Sequence, residues 1–375
     1  MADLFSSAGP TPAADRSARS TIPPPLAIDP WIASSLLQKA IRRGDADLAE
    51  RAAIALHRLR GNGIWRRFLV IAFEDVGVAS VEALIKTTAA CTAPSWRAGV
   101  DGGDQRVLRL LARLLAKAPK DRSPDHLISV AQSHPALEEA RLRIGAMTIG
   151  QRVDLAASDS RPLAERAVAA WFASGIEQGS EHRVGRGDLP ALMSAFRRLG
   201  VPDDLIAATR FAATRTREPI VVMTPLLWLA ASAAGDHRIV DCPAPPVAMI
   251  GEIPSCAFDK HTSAGKAAIH RFARENHAVR DVLAAYVLKD RAKDAACMAA
   301  FQVDATPVSR RFDWEGSAEL ERLGVEADMM KAGVRREGVA PLLNVVRDNL
   351  DHLDAIRAKF QFSIRQIETV GKQGA

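Results

Sequence analysis

The sequence has few of the residues that build disulfide-linked, zinc-binding or membrane proteins. Its 375 residues include four cysteines, and no two of them form a Cys-x-x-Cys pair. This spacing indicates neither a zinc site nor a disulfide framework, and it favours reduced thiols. Apolar runs stay shorter than the roughly 18 residues that a membrane span needs. The sequence therefore predicts a cytoplasmic protein with no membrane partner, no metal and no cofactor.

Two common catalytic motifs are also missing. The nearest candidate for a phosphate-binding loop is Gly265-Lys266, which is followed by alanine and lacks a glycine five positions earlier. Such a loop needs its backbone amides, its lysine and its hydroxyl to hold nucleotide phosphates. A Gly-x-Ser-x-Gly nucleophile elbow does not occur either. The sequence therefore predicts a protein without ATPase activity, and it favours a non-enzymatic role.

The residues that are abundant favour helices. Hydrophobic residues make up 48% and charged residues 25%, which is an ordinary globular composition. Aromatic residues reach only 5%, and strand-like alternation extends over no more than four or five residues. We found no fixed-period repeat. The sequence predicts an all-α helical array with a flexible tail at 1–28, a first helical domain at 29–150, a second at 151–300 with a proline-rich loop at 235–255, and an irregular segment with a C-terminal amphipathic helix at 301–375.

Apolar spacing and capping residues predict the individual helices. Gly44 is expected to end the first helix in a left-handed conformation, while Asp45, Asp104 and either Thr262 or Ser263 are expected to cap the helices that follow them. An irregular segment is expected at 306–316. The predicted helices cover 33–43, 46–59, 64–73, 80 or 81 to 90, 104–118, 124–133, 136–150, 162–177, 188–199, 202–215, 219–233, 263–275, 277–300 and 341–369.

Three segments of the first domain carry a more specific pattern. Residues 35–47 read SLLQKAIRRGDAD, residues 65–77 read WRRFLVIAFEDVG, and residues 114–120 read LLAKAPK. In this order they resemble the C-terminal region of the replication-associated recombination protein A family, AAA+ ATPases related to Werner-helicase-interacting ATPases and to clamp loaders. The resemblance covers about residues 33–143. The matched motif residues are Lys39, Arg43, Gly44, Asp45, Glu74, Asp75, Gly77, Pro119 and Lys120.

The resemblance implies a fold and a set of partners. In that family this region follows an ATPase module, assembles into an oligomer beneath the ATPase ring and lies close to DNA. About 30 residues precede it in this sequence, so ATPase activity is not implied. What it implies is a clamp-loader-type collar that forms a homo-oligomer and works with a separately encoded ATPase or replication protein.

Basic residues indicate where nucleic acid would bind. The formal charge is +6, and residues 29–122 contain 16 Lys or Arg against 10 Asp or Glu, an excess of six. Arg106, Arg109, Arg113 and Lys117 recur every three or four residues and share one helix face, which suits phosphate contacts without sequence specificity. The alternative is a solvated helix face, since no aromatic residue interleaves with the cations.

Other polar clusters have competing interpretations. Asp259, Lys260 and His261 precede a helix and are the candidate residues for a catalytic site of unknown reaction. Glu74 and Asp75 are expected to bond to Arg66, to Arg67 or to a helix N-terminus rather than to perform chemistry.

The leading interpretation is thus a non-enzymatic accessory protein of DNA replication and recombination maintenance, oligomerising and DNA-contacting. The alternatives are an enzyme with a site at residues 259–261 and a pure protein-interaction scaffold.

Overall fold

The computed structural model describes residues 26–177 and 184–360. These residues form an all-α array, as predicted, with 74% helix and 5% strand. Most of the predicted tail at 1–28 and the last part of the predicted helix at 341–369 lie outside the described residues. Within the described ranges, no helix combines the length and apolar character needed to cross a membrane.

The first half of the helical array extends to residue 234. Its α-helices are α1 (Pro30–Arg43), α2 (Ala46–Arg60), α3 (Gly63–Ile71), α4 (Val81–Thr92), α5 (Pro94–Gly99), α6 (Gly103–Lys117), α7 (Ser123–Ser133), α8 (Glu138–Gly145), α9 (Ile149–Ala157), α10 (Leu163–Ser174), α11 (Leu189–Arg198), α12 (Asp203–Thr216) and α13 (Met223–Ala234).

The second half contains the remaining helices and four short strands. The helices are α14 (Ser263–Glu275), α15 (His277–Tyr286), α16 (Ala292–Ala300), α17 (Ser317–Lys331) and α18 (Val339–Arg347), and residues 350–360 are helical as well. The strands are β1 (His237–Asp241), β2 (Met249–Ile250), β3 (Ile253–Pro254) and β4 (Arg310–Trp314).

Several predicted helix ends are confirmed by their capping geometry. Gly44 ends α1 with a φ of 76°, the left-handed conformation that glycine adopts without strain. The Asp45 carboxylate accepts a hydrogen bond from the Leu48 amide at the start of α2. The Thr262 hydroxyl accepts one from the Gly265 amide and caps α14. The predicted cap at Asp104 is wrong, because α6 begins at Gly103 and Asp104 instead accepts a hydrogen bond from Arg97 Nε at 2.8 Å.

Three predicted long helices are broken, and two helices were missed. The helix predicted at 136–150 ends at Gly145, and α9 begins anew with a capping box formed by Thr148 and Gln151. The helix predicted at 277–300 is interrupted after Tyr286, where Val287 pairs with Val334 in an isolated antiparallel bridge. The predicted C-terminal helix is interrupted between α18 and residues 350–360. Helices α5 and α17 lie where no helix was predicted.

The two segments predicted to be irregular pair with each other. Strand β1 from the proline-rich segment runs antiparallel to β4, with Ile239 opposite Phe312. Strands β2 and β3 form a second, shorter antiparallel pair. A strand pair whose members lie about 70 residues apart depends on tertiary packing, so local sequence propensity does not reveal it.

Two apolar cores support the array. The larger one draws on α1 to α13 and includes the wholly buried Trp171, and the smaller one draws on α14 to α18, with Phe272 at its centre. Helices α7 and α17 are tightly packed at Gly324, where an added Cβ would lie 2.7 Å from the His126 Cα. This packing joins the first half of the chain to the second.

Two helices end in π-helical turns, one in each half of the chain. Helix α3 continues into Ala72–Val76, which carries Glu74 and Asp75, and α16 continues into Phe301–Ala305. A π-turn widens the helix and often accompanies a functional site. Both turns contribute side chains to the cleft described next.

Candidate functional site

A polar cleft of about 410 Å³ lies between the two halves of the chain. Helices α1, α3 and α7 form one side, and the segment 260–261, Phe301 and Asp328 form the other. Its volume lies within the range of about 300–1,000 Å³ typical of ligand pockets. The cleft brings the motif residues Lys39 and Glu74 together with Lys260 and His261, two groups that the sequence left separate.

Beneath the cleft, Arg42 holds the two acidic motif residues. Its Nε donates to Asp75 Oδ1 at 2.6 Å and its Nη2 to Glu74 Oε1 at 2.7 Å, while Nη1 donates to the Ala305 carbonyl at 2.9 Å. Burial opposes the charge of Arg42, but the carboxylates of Asp75 and Glu74 outweigh it and raise its pKa. The expectation was a helix N-terminus or an arginine such as Arg66 or Arg67, and the carboxylates do bond to an arginine, which is Arg42.

The Lys39 ammonium forms a buried ion pair with Asp259. Burial lowers the pKa of Lys39, and it would raise that of Asp259, but the Lys39 charge outweighs burial and lowers the Asp259 pKa. Asp259 Oδ1 also accepts from the His261 amide at 2.9 Å. Asp259 therefore anchors the segment that carries Lys260 and His261 through its Oδ1, while its Oδ2 pairs with the Lys39 ammonium.

Gly265 explains why this segment lies against α14. A Cβ at position 265 would collide with the Asp259 carbonyl oxygen, so only glycine permits this close approach. The sequence pattern Gly265-Lys266 thus has a packing role.

Phe301 forms a ring surface beneath the cations of the cleft. Lys260 Nζ lies 4.2 Å and Lys39 Nζ lies 5.4 Å from its ring centroid, and the His261 ring meets it edge-on at 5.4 Å. Such cation–π contacts stabilise a charge without neutralising it. Lys260 Nζ also approaches Met298 Sδ at 3.2 Å, and it forms no ion pair with the residues that the structure describes. Burial lowers the pKa of Lys260.

Three buried polar atoms of the cleft have no hydrogen-bond partner in the described part of the chain. They are Ser35 Oγ, Arg67 Nε and Gln132 Nε2. The Arg67 guanidinium donates from Nη2 to Gln38 Oε1 but has no carboxylate partner among the described residues. An unpaired buried polar group costs about 1–3 kcal/mol. Each of the three can form a hydrogen bond with a water molecule or with a bound ligand.

The carboxylates of the cleft, in contrast, have partners. Glu74 is held by Arg42, Asp125 by Arg122, and Glu218 by Arg66 at 2.9 Å. Asp328 accepts from Gln302 Nε2 at 2.8 Å, and burial together with the charge of Asp125 raises its pKa to about 6. Arg67 and Lys260 form no ion pair among the described residues, although the charges of Glu74 and Asp328, respectively, favour their cationic forms.

An exposed aromatic ring stands at the mouth of the cleft. Trp31, in the first turn of α1, is 59% exposed, although tryptophan usually buries most of its surface. The Arg60 guanidinium carbon lies 4.4 Å from the centroid of its ring. The guanidinium covers one face of the ring, and the exposed remainder of the ring offers a surface on which another flat group can stack.

The stripe predicted to contact DNA lies elsewhere, on α6 against α2. Arg109 pairs with Glu50, and Arg113 Nη1 lies 2.7 Å from Asp47 and 2.8 Å from Glu50. Arg106 pairs with Asp101 at 3.3 Å. Lys117 is exposed and forms no ion pair within the described ranges. The predicted DNA contact stays a prediction, with three of its four cations already facing carboxylates.

The remaining motif residues lie in the packing around the cleft. Gly77 has a φ of 50°, and a Cβ there would lie 2.9 Å from the Asp121 carbonyl oxygen. Arg43 Nη1 donates to the Pro245 carbonyl at 2.7 Å. After Pro119, the buried Lys120 donates to the Ala116 and Ala118 carbonyls, and burial lowers its pKa to about 7.

Comparisons with family models, curated proteins and solved structures gave no match to this chain. The resemblance to the replication-associated recombination protein A family therefore rests on the sequence motifs alone.

Proposed function

We propose that this protein is an accessory factor of DNA replication and recombination maintenance that binds a nucleotide in the cleft between Trp31 and Lys260. The observation that carries the proposal is the set of unpaired donors, Ser35 Oγ, Arg67 Nε and Gln132 Nε2, on one cleft wall. The nucleotide is either free or the end of a single strand.

The chemistry of a nucleotide fits each part of the cleft. A phosphate would bind Arg67 and Lys260, the cations without carboxylate partners, because planar guanidinium groups and ammonium groups both suit phosphate oxygens. A base would stack on Trp31, a contact worth about 1–3 kcal/mol in single-strand sites. The Ser35 hydroxyl and the Gln132 amide would bond to acceptors on the sugar or the base.

The family resemblance supports the same functional setting. In that family the matched region lies close to DNA and assembles into an oligomer. We extend both properties to this chain, so the proposal includes a homo-oligomer, an ATPase or replication protein encoded separately, and duplex contacts by the α6 stripe. Light scattering at micromolar concentration tests the oligomer, and a strict monomer at every concentration would refute that part.

The test of the cleft is a binding titration with three probes: deoxynucleoside monophosphates, a single-stranded oligonucleotide and its duplex. The fluorescence anisotropy of labelled monophosphates and labelled DNA is the readout, because it does not depend on Trp31 itself. Trp31→Ala and Arg67→Gln should each weaken binding about tenfold or more, since each removes a stacking or charge-assisted contact. Arg198→Gln, an exposed arginine on α11, is the matched control and should bind as the parent does.

The outcome distinguishes the two sources of the nucleotide. Saturable binding of monophosphates indicates a free nucleotide, while binding of the oligonucleotide alone indicates a strand end. If none of the three probes binds, or if Trp31→Ala and Arg67→Gln bind like the control, the cleft is not a nucleotide site.

One observation favours an enzyme as the second candidate. Lys260 and His261 are adjacent on the cleft wall, and burial lowers the Lys260 pKa, which increases the share of the neutral, nucleophilic amine. Chromatography of nucleotides incubated with the protein would detect turnover. If His261→Ala loses that turnover but still binds the nucleotide, an enzyme becomes the leading candidate function.

A further inference from the structure

A second groove, which shares no lining residue with the cleft, lies on the smaller core. It has a volume of about 1010 Å³ and is formed by α14, α15, the start of α16 and Arg335. Its apolar lining residues include the buried Leu283 and Val287 and the exposed Leu288. Leu288 is 71% exposed, and leucine at that exposure contributes apolar surface that the fold itself does not use.

Cations surround this apolar surface. Lys or Arg occupies five lining positions, and none of the lining residues is acidic. The cations are Arg274, Arg280, Lys289, Lys293 and Arg335.

Among these, Arg274, Lys289 and Lys293 form no ion pair with the described residues. Arg280 and Arg335 have only distant carboxylate neighbours, Asp281 at 3.9 Å and Glu337 at 3.8 Å. The groove therefore combines an apolar floor with uncompensated positive charge.

We infer that this groove binds an acidic amphipathic helix of a partner protein. An apolar groove takes the apolar side chains at positions i, i+3, i+4 and i+7 of such a helix. Aspartate and glutamate at the edges of that helix would face the cations of the rim, and this complementarity speeds association and selects the partner.

The chain's own segments outside the described residues do not have this chemistry. Residues 361–375 carry two cations and one carboxylate, residues 1–25 carry two of each, and residues 178–183 carry one Arg and one Glu. None of the three segments offers the negative charge that the rim would attract. The occupant is therefore a separate acidic chain.

The test uses a fluorescein-labelled helical peptide with leucines at positions i, i+3, i+4 and i+7 and glutamates at the flanking positions. We expect saturable binding to the full chain, weakened by salt because exposed charges are screened. Leu288→Glu and the double variant Lys289→Glu/Lys293→Glu should each reduce affinity at least about tenfold, through lost burial and through repulsion of the peptide.

The matched control is Leu199→Glu, which changes a leucine that is 41% exposed directly after α11, and it should retain parental affinity. No saturable binding below about 1 mM would overturn the inference. Equal binding of a peptide with lysines in place of glutamates would also overturn it. Sedimentation of the protein with anionic lipid vesicles would overturn it as well, if the acidic peptide does not compete with the vesicles. The same holds for oligonucleotide binding that is lost in Lys289→Glu/Lys293→Glu and that the acidic peptide does not displace.

Discussion

Burial changes the protonation of Lys120 and thereby links its charge to folding. The folded-state pKa is lowered to about 7, whereas an exposed lysine has a pKa of about 10.4. Between these values the unfolded chain binds more protons than the folded chain, so stability rises as pH increases.

The first prediction follows from Lys120. The free energy of unfolding of the parent should rise between pH 7 and pH 9, and Lys120→Met should reduce the slope by up to about 1.4 kcal/mol per pH unit. Part of the slope should remain in Lys120→Met, because the pKa values of Lys39 and Lys260 are also lowered. Above this pH range the buried thiols lower the free energy of unfolding as pH increases, because burial raises the pKa of Cys256 to about 11.

Urea titrations at each pH provide the measurement for Lys120. Lys117→Met, which changes an exposed lysine three residues away, is the control and should keep the parental slope. A parental slope in Lys120→Met would mean that Lys120 keeps its proton in the folded chain.

The second prediction concerns the buried pair of Lys39 and Asp259. Asp259→Asn leaves the Lys39 ammonium buried without its counter-charge, so we expect a loss of about 3 kcal/mol of stability. Replacing both residues, as Lys39→Met/Asp259→Leu, should restore most of that loss because no buried charge remains. Denaturant titration measures both variants. A double variant as unstable as Asp259→Asn would contradict this account, and the exposed Asp290→Asn should be neutral.

At the scale of elements, the packing of α7 against α17 depends on one glycine. An added Cβ at Gly324 would lie 2.6 Å from His126 Cβ and 2.7 Å from its Nδ1. Gly324→Ala should therefore destabilise the protein by about 1–3 kcal/mol, more than offsetting its gain in helix propensity. Gly150→Ala in α9 has open space around its new methyl group and should be neutral or stabilising. Equal thermal stability of the two variants would contradict the described packing.

The sequence predicted most helices because their ends depend on local chemistry. Gly44, Asp45 and Thr262 act through hydrogen bonds to residues within a few positions, and these signals are visible in any window of the chain. Strand β1 forms by pairing with β4, and β4 also bridges to Lys120, so no local signal exists for either strand. Helix α17 was missed because it contacts both cores, which spreads its apolar residues around the helix.

Residues of the candidate site could be predicted from the sequence, but their proximity in space could not. The acidic motif residues and residues 259–261 both stood out in the sequence. Their proximity depends on the ion pair between Lys39 and Asp259, which spans 220 positions. Trp31 and Phe301 carried no motif, and only their exposure and their neighbours in space give them a role.

For the whole molecule, the arrangement of charge decides where a polyanion would bind. The net charge is +6, yet three of the four cations of the α6 stripe face Asp47, Glu50 and Asp101. Arg67 and Lys260 in the cleft form no direct ion pair among the described residues, although Glu74 and Asp328 lie near them. Counterion release by a bound strand should therefore come from the cleft more than from the stripe.

The last prediction separates these two surfaces by their salt dependence. On single-stranded DNA, each phosphate contact contributes about 0.7 to the slope of log K against log salt concentration. The double variant Arg67→Gln/Lys260→Gln should therefore flatten the slope by about 1.4. Arg109→Ala/Arg113→Ala should leave that slope near its parental value, because these arginines are already engaged by Glu50 and Asp47. Anisotropy titrations across a salt series measure the slopes of both double variants. If only Arg109→Ala/Arg113→Ala flattens the slope, the single-strand site lies on α6 and not in the cleft.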